Sequence, residues 1–210
     1  MPTHPFAAGV AHLASVDPQL ADIIAATGPC TVTFRTERFA ALVAAILSQQ
    51  VSSAAARTIH RRLCELMPDG EPTPEHIAAK SPEELRTAGL SGQKAKYLHA
   101  LAAFVVDGRL DLNGLDALDD ESVARALVAV PGIGRWTADM FLIFSLARPD
   151  VLPLGDLAVR DAFVHHYGLT KADFPNKALE IAEAWRPWRS VACWYLYRDG
   201  DRRKGRPAVV

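Results

Sequence analysis

The stretch Leu127-Val128-Ala129-Val130-Pro131-Gly132-Ile133-Gly134-Arg135-Trp136-Thr137-Ala138-Asp139-Met140 decides how this chain folds. Helical patterns run from Glu121 to Ala129 and from Arg135 to Ala147, and only Pro131-Gly132-Ile133-Gly134 lies between them. So short a link can reverse the chain only if its glycines take positive φ or let backbones approach closely. The second helix then begins at Gly134 or Arg135 with backbone N–H groups that have no intrahelical partner. They face outward, where a phosphate oxygen can reach them. Ile133 is expected to anchor the turn in the apolar space between the helices. The plain alternative is an ordinary tight corner between two helices.

Outward from this segment the punctuation stays helical. The chain holds 35 alanines in 210 residues, and alanine is the best helix former. Apolar residues recur at three- and four-residue spacing, as in Phe39, Leu42, Val43, Ile46 and Leu47, or Tyr97, Leu98, Leu101, Phe104 and Val105. Thr73-Pro74 and Ser81-Pro82 place an N-cap before a first-turn proline, Ser81 and Glu84 form a capping box, and Ser52 and Asn176 are further cap candidates. Gly89, Gly108 and Gly168 stand where helices stop. One short alternation, Thr31 to Phe34, is too brief to build a sheet. The pattern predicts an all-α fold of roughly nine or ten short helices, with the first core helix starting near residue 37.

Composition narrows the class. No apolar run approaches the roughly 20 residues that span a bilayer, and the opening MPTHPFAAGV has no basic region leading into an apolar stretch. No membrane partner is expected, and the cytoplasm is the expected compartment. Cys30, Cys64 and Cys193 lie far apart, without the spacing that holds zinc or an iron-sulfur cluster, and read as free buried thiols. Net charge is −1, yet from Arg186 to the end seven basic residues face two acidic ones. That stretch is either a solvated tail or a phosphate-binding one. The histidines, His165-His166 included, show no metal spacing and read as exposed or capping.

About twenty residues past the hairpin, Asp156 stands in the apolar loop Val151-Leu152-Pro153-Leu154-Gly155-Asp156-Leu157, just before another helix. Taken alone it reads as an N-cap. Taken with the hairpin, the arrangement resembles the helix-hairpin-helix (HhH-GPD) superfamily of DNA glycosylases, whose signature is this hairpin, a Gly/Pro-rich loop and a catalytic Asp. Ile46-Leu47-Ser48-Gln49-Gln50-Val51-Ser52 looks like that superfamily's turn carrying the base-gap residues. Arg186-Pro187-Trp188-Arg189-Ser190 looks like the C-terminal element of its 3-methyladenine DNA glycosylase II branch. The likeness covers residues from about 36 to 200.

The resemblance implies two helical lobes flanking a cleft: residues 37–148 ending in the hairpin, and residues 1–36 with 149–210 carrying Asp156. It is a compact form, without room for the amino-terminal β domain of larger members. It implies base excision repair on double-stranded DNA containing alkylated bases, by a monomer associated with the nucleoid if the source is bacterial. Gly132, Gly134 and Thr137 would hold the DNA backbone. The carbonyls of Val128, Val130 and Ile133 would bind a sodium or potassium ion at the hairpin, no other cofactor being required. Trp136, Tyr197, Met140 and Gln49 would line the base pocket, although Tyr197 and Met140 read equally as core. Gln50 takes the place of the wedge that fills the vacated gap, where larger members carry an apolar residue. Trp188 and Trp194 read as packing residues.

Lyase members place a lysine two residues after the second hairpin glycine, where its amine attacks the sugar. Trp136 stands there instead, so hydrolysis without strand cleavage is expected. An N3- or N7-alkylated purine is cationic and leaves readily, so the difficult species is the sugar oxocarbenium. A carboxylate held away from water opposes that charge and can orient a water. Aromatic faces attract a cationic base, which must first rotate out of the duplex. Two readings stand beside this one: a glycosylase for oxidised or mismatched bases, and a non-catalytic damaged-DNA binding module.

Overall fold

The computed structural model describes residues 6–205. Its twelve α-helices are α1 (Ala7–Val16), α2 (Pro18–Thr27), α3 (Arg38–Ser48), α4 (Ser53–Glu65), α5 (Pro74–Ala78), α6 (Pro82–Arg86), α7 (Gly92–Val106), α8 (Asp120–Val128), α9 (Arg135–Phe144), α10 (Leu157–Tyr167), α11 (Phe174–Glu183) and α12 (Arg189–Arg203). A 3₁₀ turn spans Gly114–Ala117, and no strand occurs among the described residues. The all-α class follows. Helix formation begins before residue 37, however, because α1 and α2 bury Leu13 and Leu20 completely. The count rises further because proline and a capping side chain suffice to start the five-residue helices α5 and α6.

Local chemistry explains most helix starts. Ser52 caps α4 and Thr73 caps α5, while Ser81 and Glu84 complete both bonds of the capping box. Asn176 is not a cap: α11 starts two residues earlier at Phe174, after Asp173, with Pro175 preset for its first turn. Gly89, Gly108 and Gly168 all take positive φ beyond helix ends. Thr31 to Phe34 forms no strand. Cys30 and Cys193 are buried free thiols, but Cys64 is only half-buried on α4.

The chain divides into two compact units, Arg35–Leu146 with α3 to α9, and the two ends of the chain, up to Phe34 and from Ala147, with α1, α2 and α10 to α12. In the first, Leu42, Ile46, Leu98, Leu101 and Leu127 are buried. In the second, the core is aromatic, with Phe163 lying 5.2 Å from Trp185 between ring centres. Here Asp17 accepts hydrogen bonds from Leu20 N (3.1 Å), Tyr167 Oη (2.9 Å) and Trp185 Nε1 (2.8 Å). One buried carboxylate thus caps α2 and satisfies the two polar atoms that the aromatic cluster buries. Burial and the Asp17 charge together push the Tyr167 phenol well above its ordinary value.

In the basic C-terminal stretch, four of the cations have carboxylate partners, although residues 202–205 are exposed. Arg202 and Arg203 both bond Asp199, which is fully buried and also meets His166 Nε2 at 2.8 Å. His165 is exposed. Arg186 and Arg189 bond Asp150, and Arg206 lies outside the described residues. Each of these four cations is tied to a carboxylate, Arg189 and Arg203 at mostly covered positions.

Burial pushes the Asp199 carboxyl upward, but hydrogen bonds from His166, Arg203 and Arg202 overcome this and hold it below the ordinary value. A lowered folded pKa gives stability that is present above the unfolded value near 4 and is lost as pH falls through the folded one. Asp199→Asn should therefore destabilise the protein at pH 7, and its difference from wild type in urea unfolding should shrink below about pH 4. A difference that stays constant from neutral to acid pH contradicts this account.

Candidate functional site

Within the Arg35–Leu146 unit, the turn between α8 and α9 is fixed from three sides. Ile133 N donates to the Val130 carbonyl at 3.1 Å, and the Ile133 side chain is buried as expected. Gln49 Nε2 donates to the Gly132 carbonyl at 2.9 Å, tying the end of α3 to the turn. Arg135 bonds Asp139 with Nε (2.9 Å) and Glu121 with Nη1 (2.8 and 3.0 Å), a fork that staples α9 to α8. Asp139 is buried, which pushes its carboxyl up despite this partner, and the guanidinium is held above its usual value mainly by its bond to Asp139.

The two hairpin glycines do different work. Gly132 has φ +91°, and a Cβ there would lie 2.3 Å from Tyr97 Cγ, so both backbone and packing demand glycine. Gly134 has φ −95°, and a Cβ there would meet nothing within 4 Å. The fold itself does not require glycine at 134; only a partner approaching from outside would. Gly134 is also the N-cap of α9 and, being glycine, brings no capping side chain of its own.

Gln49, Gln50, Ser91, Lys94, Tyr97 and Gly134 line a depression of about 700 Å³ beside the turn. Gln50 is exposed at its edge with φ +55°, a left-handed conformation unusual for a residue with a Cβ. Lys94 Nζ donates to the Leu47 carbonyl at 2.8 Å, closing the end of α3, and burial lowers its ammonium pKa. Lys94 carries no motif in the sequence. Tyr97 reads there only as part of an apolar helix face; its spacing of three from Lys94 on α7 is the one available signal. Trp136 is 48% exposed on the first turn of α9, Met140 is half-buried one turn later, and Thr137 is buried with only 6% of its surface accessible.

The chain-end unit holds the remaining candidates. Asp156 is 6% exposed and caps α10, its Oδ1 accepting from Ala158 N (2.7 Å) and Val159 N (3.0 Å). The capping role expected of it is therefore real. Tyr197 is half-buried on α12 and Trp194 is buried. Trp188 lies so close to α1 that a Cβ on Gly9 would come within 2.7 Å of its ring. The loop that precedes Asp156 is bound at its start to α12, where Ser190 N donates to the Pro149 carbonyl and Ser190 Oγ accepts from Val151 N, both at 2.9 Å. Among the described residues no group of three or more His, Cys, Asp or Glu could hold a metal ion, and no helix is long and apolar enough to cross a membrane.

Residues 43–189 match the HhH-GPD superfamily base excision DNA repair protein family. Over 192 residues the chain is 32% identical to DNA-3-methyladenine glycosylase 1 of Schizosaccharomyces pombe, covering 89% of this chain and 84% of that protein. It is similar in structure to a DNA-3-methyladenine glycosidase from Bacillus halodurans (TM-score 0.85, 33% identity, 94% of this chain and 91% of that one). It is also similar to a Schizosaccharomyces pombe 3-methyladenine DNA glycosylase in complex with abasic DNA (TM-score 0.77, 32% identity, 94% and 97%). The helical hairpin, the capped Asp156 and these matches agree: the chain belongs to the HhH-GPD superfamily of base excision DNA repair proteins.

The division of labour between the glycines can be measured on the protein alone. Gly132→Ala should cost about 2 kcal/mol or more, since it combines positive-φ strain with a clash. Gly134→Ser, which adds a Cβ and a good capping group, should leave stability unchanged or slightly raised. Urea unfolding of the two variants checks this, and equal losses would mean that residue 134 is constrained by the fold after all.

Proposed function

We propose that this protein is a monofunctional DNA glycosylase that hydrolyses the N-glycosidic bond of N3- or N7-alkylated purines in double-stranded DNA, opening base excision repair. The observation that carries the reading is the buried Asp156 carboxylate, oriented by two helix amides, in a chain of this family. The names of its relatives, 3-methyladenine glycosylases of fungi and bacteria, support the alkylated substrate class. It acts as a monomer wherever the cell keeps its DNA, which in a bacterium is the cytoplasm.

Each residue then has a task. The amides at the start of α9, where the N-cap is glycine, take a phosphate oxygen, and the open space at Gly134 admits the strand. That grip reads no sequence. Gln49 and Gln50 stand at the gap left by the extruded nucleotide. A carboxamide stacks less well than an apolar wedge, so the left-handed backbone of Gln50, which projects it at the edge of the depression, carries more of that task. Trp136 and Met140, one turn apart on α9, offer apolar and π surface to a cationic base.

The C1′–N bond breaks with its electron pair going to the alkylated base, which leaves neutral. Asp156 opposes the oxocarbenium charge at C1′ and takes the proton of the water that adds there. A hairpin sodium or potassium ion, held by the carbonyls of Val128, Val130 and Ile133, fits this frame. Val130 O accepts one hydrogen bond, from Ile133 N, and a carbonyl has a second lone pair to offer. The ion would supply positive charge beside the phosphate.

The test is to incubate the protein with duplexes containing methylated or oxidised purines, identify any free base, and treat parallel reactions with borohydride. Methylated bases should be released, without strand breaks and without a trapped covalent adduct, since Trp136 has no amine. Release of oxidised bases alone contradicts the substrate class. Tight binding without release makes the protein a damaged-DNA binding module, and a trapped adduct contradicts the monofunctional reading.

A further inference from the structure

We infer that the Asp150–Arg189 ion pair, together with the Ser190 hydroxyl, sets where the Asp156 carboxylate sits, so that these three are positioning residues for base release. The inference rests on the reading of Asp156 as the residue that opposes the sugar charge. Arg189 grips Asp150 at four points: Nε to Oδ1 (2.7 Å), Nη2 to Oδ2 (3.0 Å), Nη2 to the Asp150 carbonyl (2.9 Å), and backbone N to Oδ1 (3.4 Å). The two side chains are only 13% and 21% exposed, so water screens the pair little. Arg186 Nη1 also reaches Asp150 Oδ2 at 2.7 Å, but it is 46% exposed and shared with Glu183.

One residue on, the Ser190 hydroxyl accepts from Val151 N, and its amide donates to Pro149 O. Three consecutive loop residues are thereby bound to the first turn of α12. From there to Asp156 the chain has little slack. Leu154 N bonds Leu152 O at 3.0 Å, Asp156 N bonds Pro153 O at 2.9 Å, and Val151 and Pro153 are buried. The far end is held by the cap on α10. A displacement at Asp150 therefore passes to Asp156 instead of being absorbed. The planar guanidinium fork fixes direction as well as distance, which an ammonium cannot do.

Both groups lie in the chain-end unit, whereas the hairpin lies in the other. Loosening the clamp should thus separate chemistry from grip. The experiment measures single-turnover base release from a methylated duplex at saturating protein, affinity for an abasic-site analogue duplex, and the melting curve, for Arg189→Lys, Asp150→Asn and Arg189→Ala. Expected is a fall in the release rate per folded molecule of about tenfold or more, because a misplacement near 1 Å can cost about a hundredfold, with affinity unchanged. Millimolar guanidinium should restore part of the rate to Arg189→Ala, while sodium chloride at equal ionic strength should not. If the arginine variants fail to fold, Asp150→Asn, which keeps the side chain's shape, carries the same test.

Release at the wild-type rate per folded molecule overturns the inference, as does a rate loss matched by an equal loss of affinity, or identical effects of guanidinium and sodium. A wild-type protein that releases no methylated base would overturn the proposed function instead.

Discussion

Residue 132 can be nothing but glycine, and much of the Arg35–Leu146 unit is arranged around that fact. Its φ of +91° makes the reversal between α8 and α9 sharp enough to need only four residues, and the missing side chain lets Tyr97 pack against the backbone. With the reversal fixed, Gln49 can reach the Gly132 carbonyl and Arg135 can bridge Glu121 and Asp139. The start of α9 is then held in place while its N-cap, a glycine, offers no capping side chain. A helix start fixed in this way costs little reorganisation when an anion docks. Such preorganisation is what a sequence-independent grip on DNA requires.

The opposite solution is used at α10. There the cap is the side chain of Asp156, and the amides that would otherwise attract an anion hold a carboxylate in place. Structural and chemical demands thus coincide on one residue: the bonds that start the helix also fix the direction of Oδ1. The loop leading to it is secured by α12 through Ser190 and Arg189. In this light Trp188-Arg189-Ser190 is less a signature than a fastening, with Trp188 closing on Gly9 while its two neighbours hold the loop.

What could be read from the sequence was local. Caps, first-turn prolines, terminal glycines and the hairpin depend on residues within four positions of one another, and Ser52, Thr73, Ser81 and Gly132 behave as that logic requires. Several departures from the local logic are settled at long range. Asn176 is a local exception: Pro175 presets the first turn of a helix that already starts at Phe174. α1 carries no capping side chain and so no local start signal, whereas Asp17-Pro18 at the start of α2 is a local cap-and-proline pair to which Tyr167 and Trp185 add bonds from more than 140 positions away. The sequence leaves the C-terminal arginines as a solvated or a phosphate-binding stretch because the partner of Arg186 and Arg189, Asp150, stands more than 35 positions away. Gly132 and Gly134 look alike as letters and differ only in φ and surroundings. Lys94 gave no sign because a lysine closing a distant helix end leaves no local pattern.

The central claim is that the Asp156 charge, not merely its capping geometry, serves catalysis, and Asp156→Asn separates the two. Asn caps helices about as well as Asp and keeps an oxygen for the amides of Ala158 and Val159. The account predicts an unchanged melting curve and undiminished affinity for lesion DNA. Base release should be slower on the order of a hundredfold or more, as expected when a few kcal/mol of transition-state charge stabilisation is lost. A folded Asp156→Asn protein that releases methylated bases at close to the wild-type rate would contradict it.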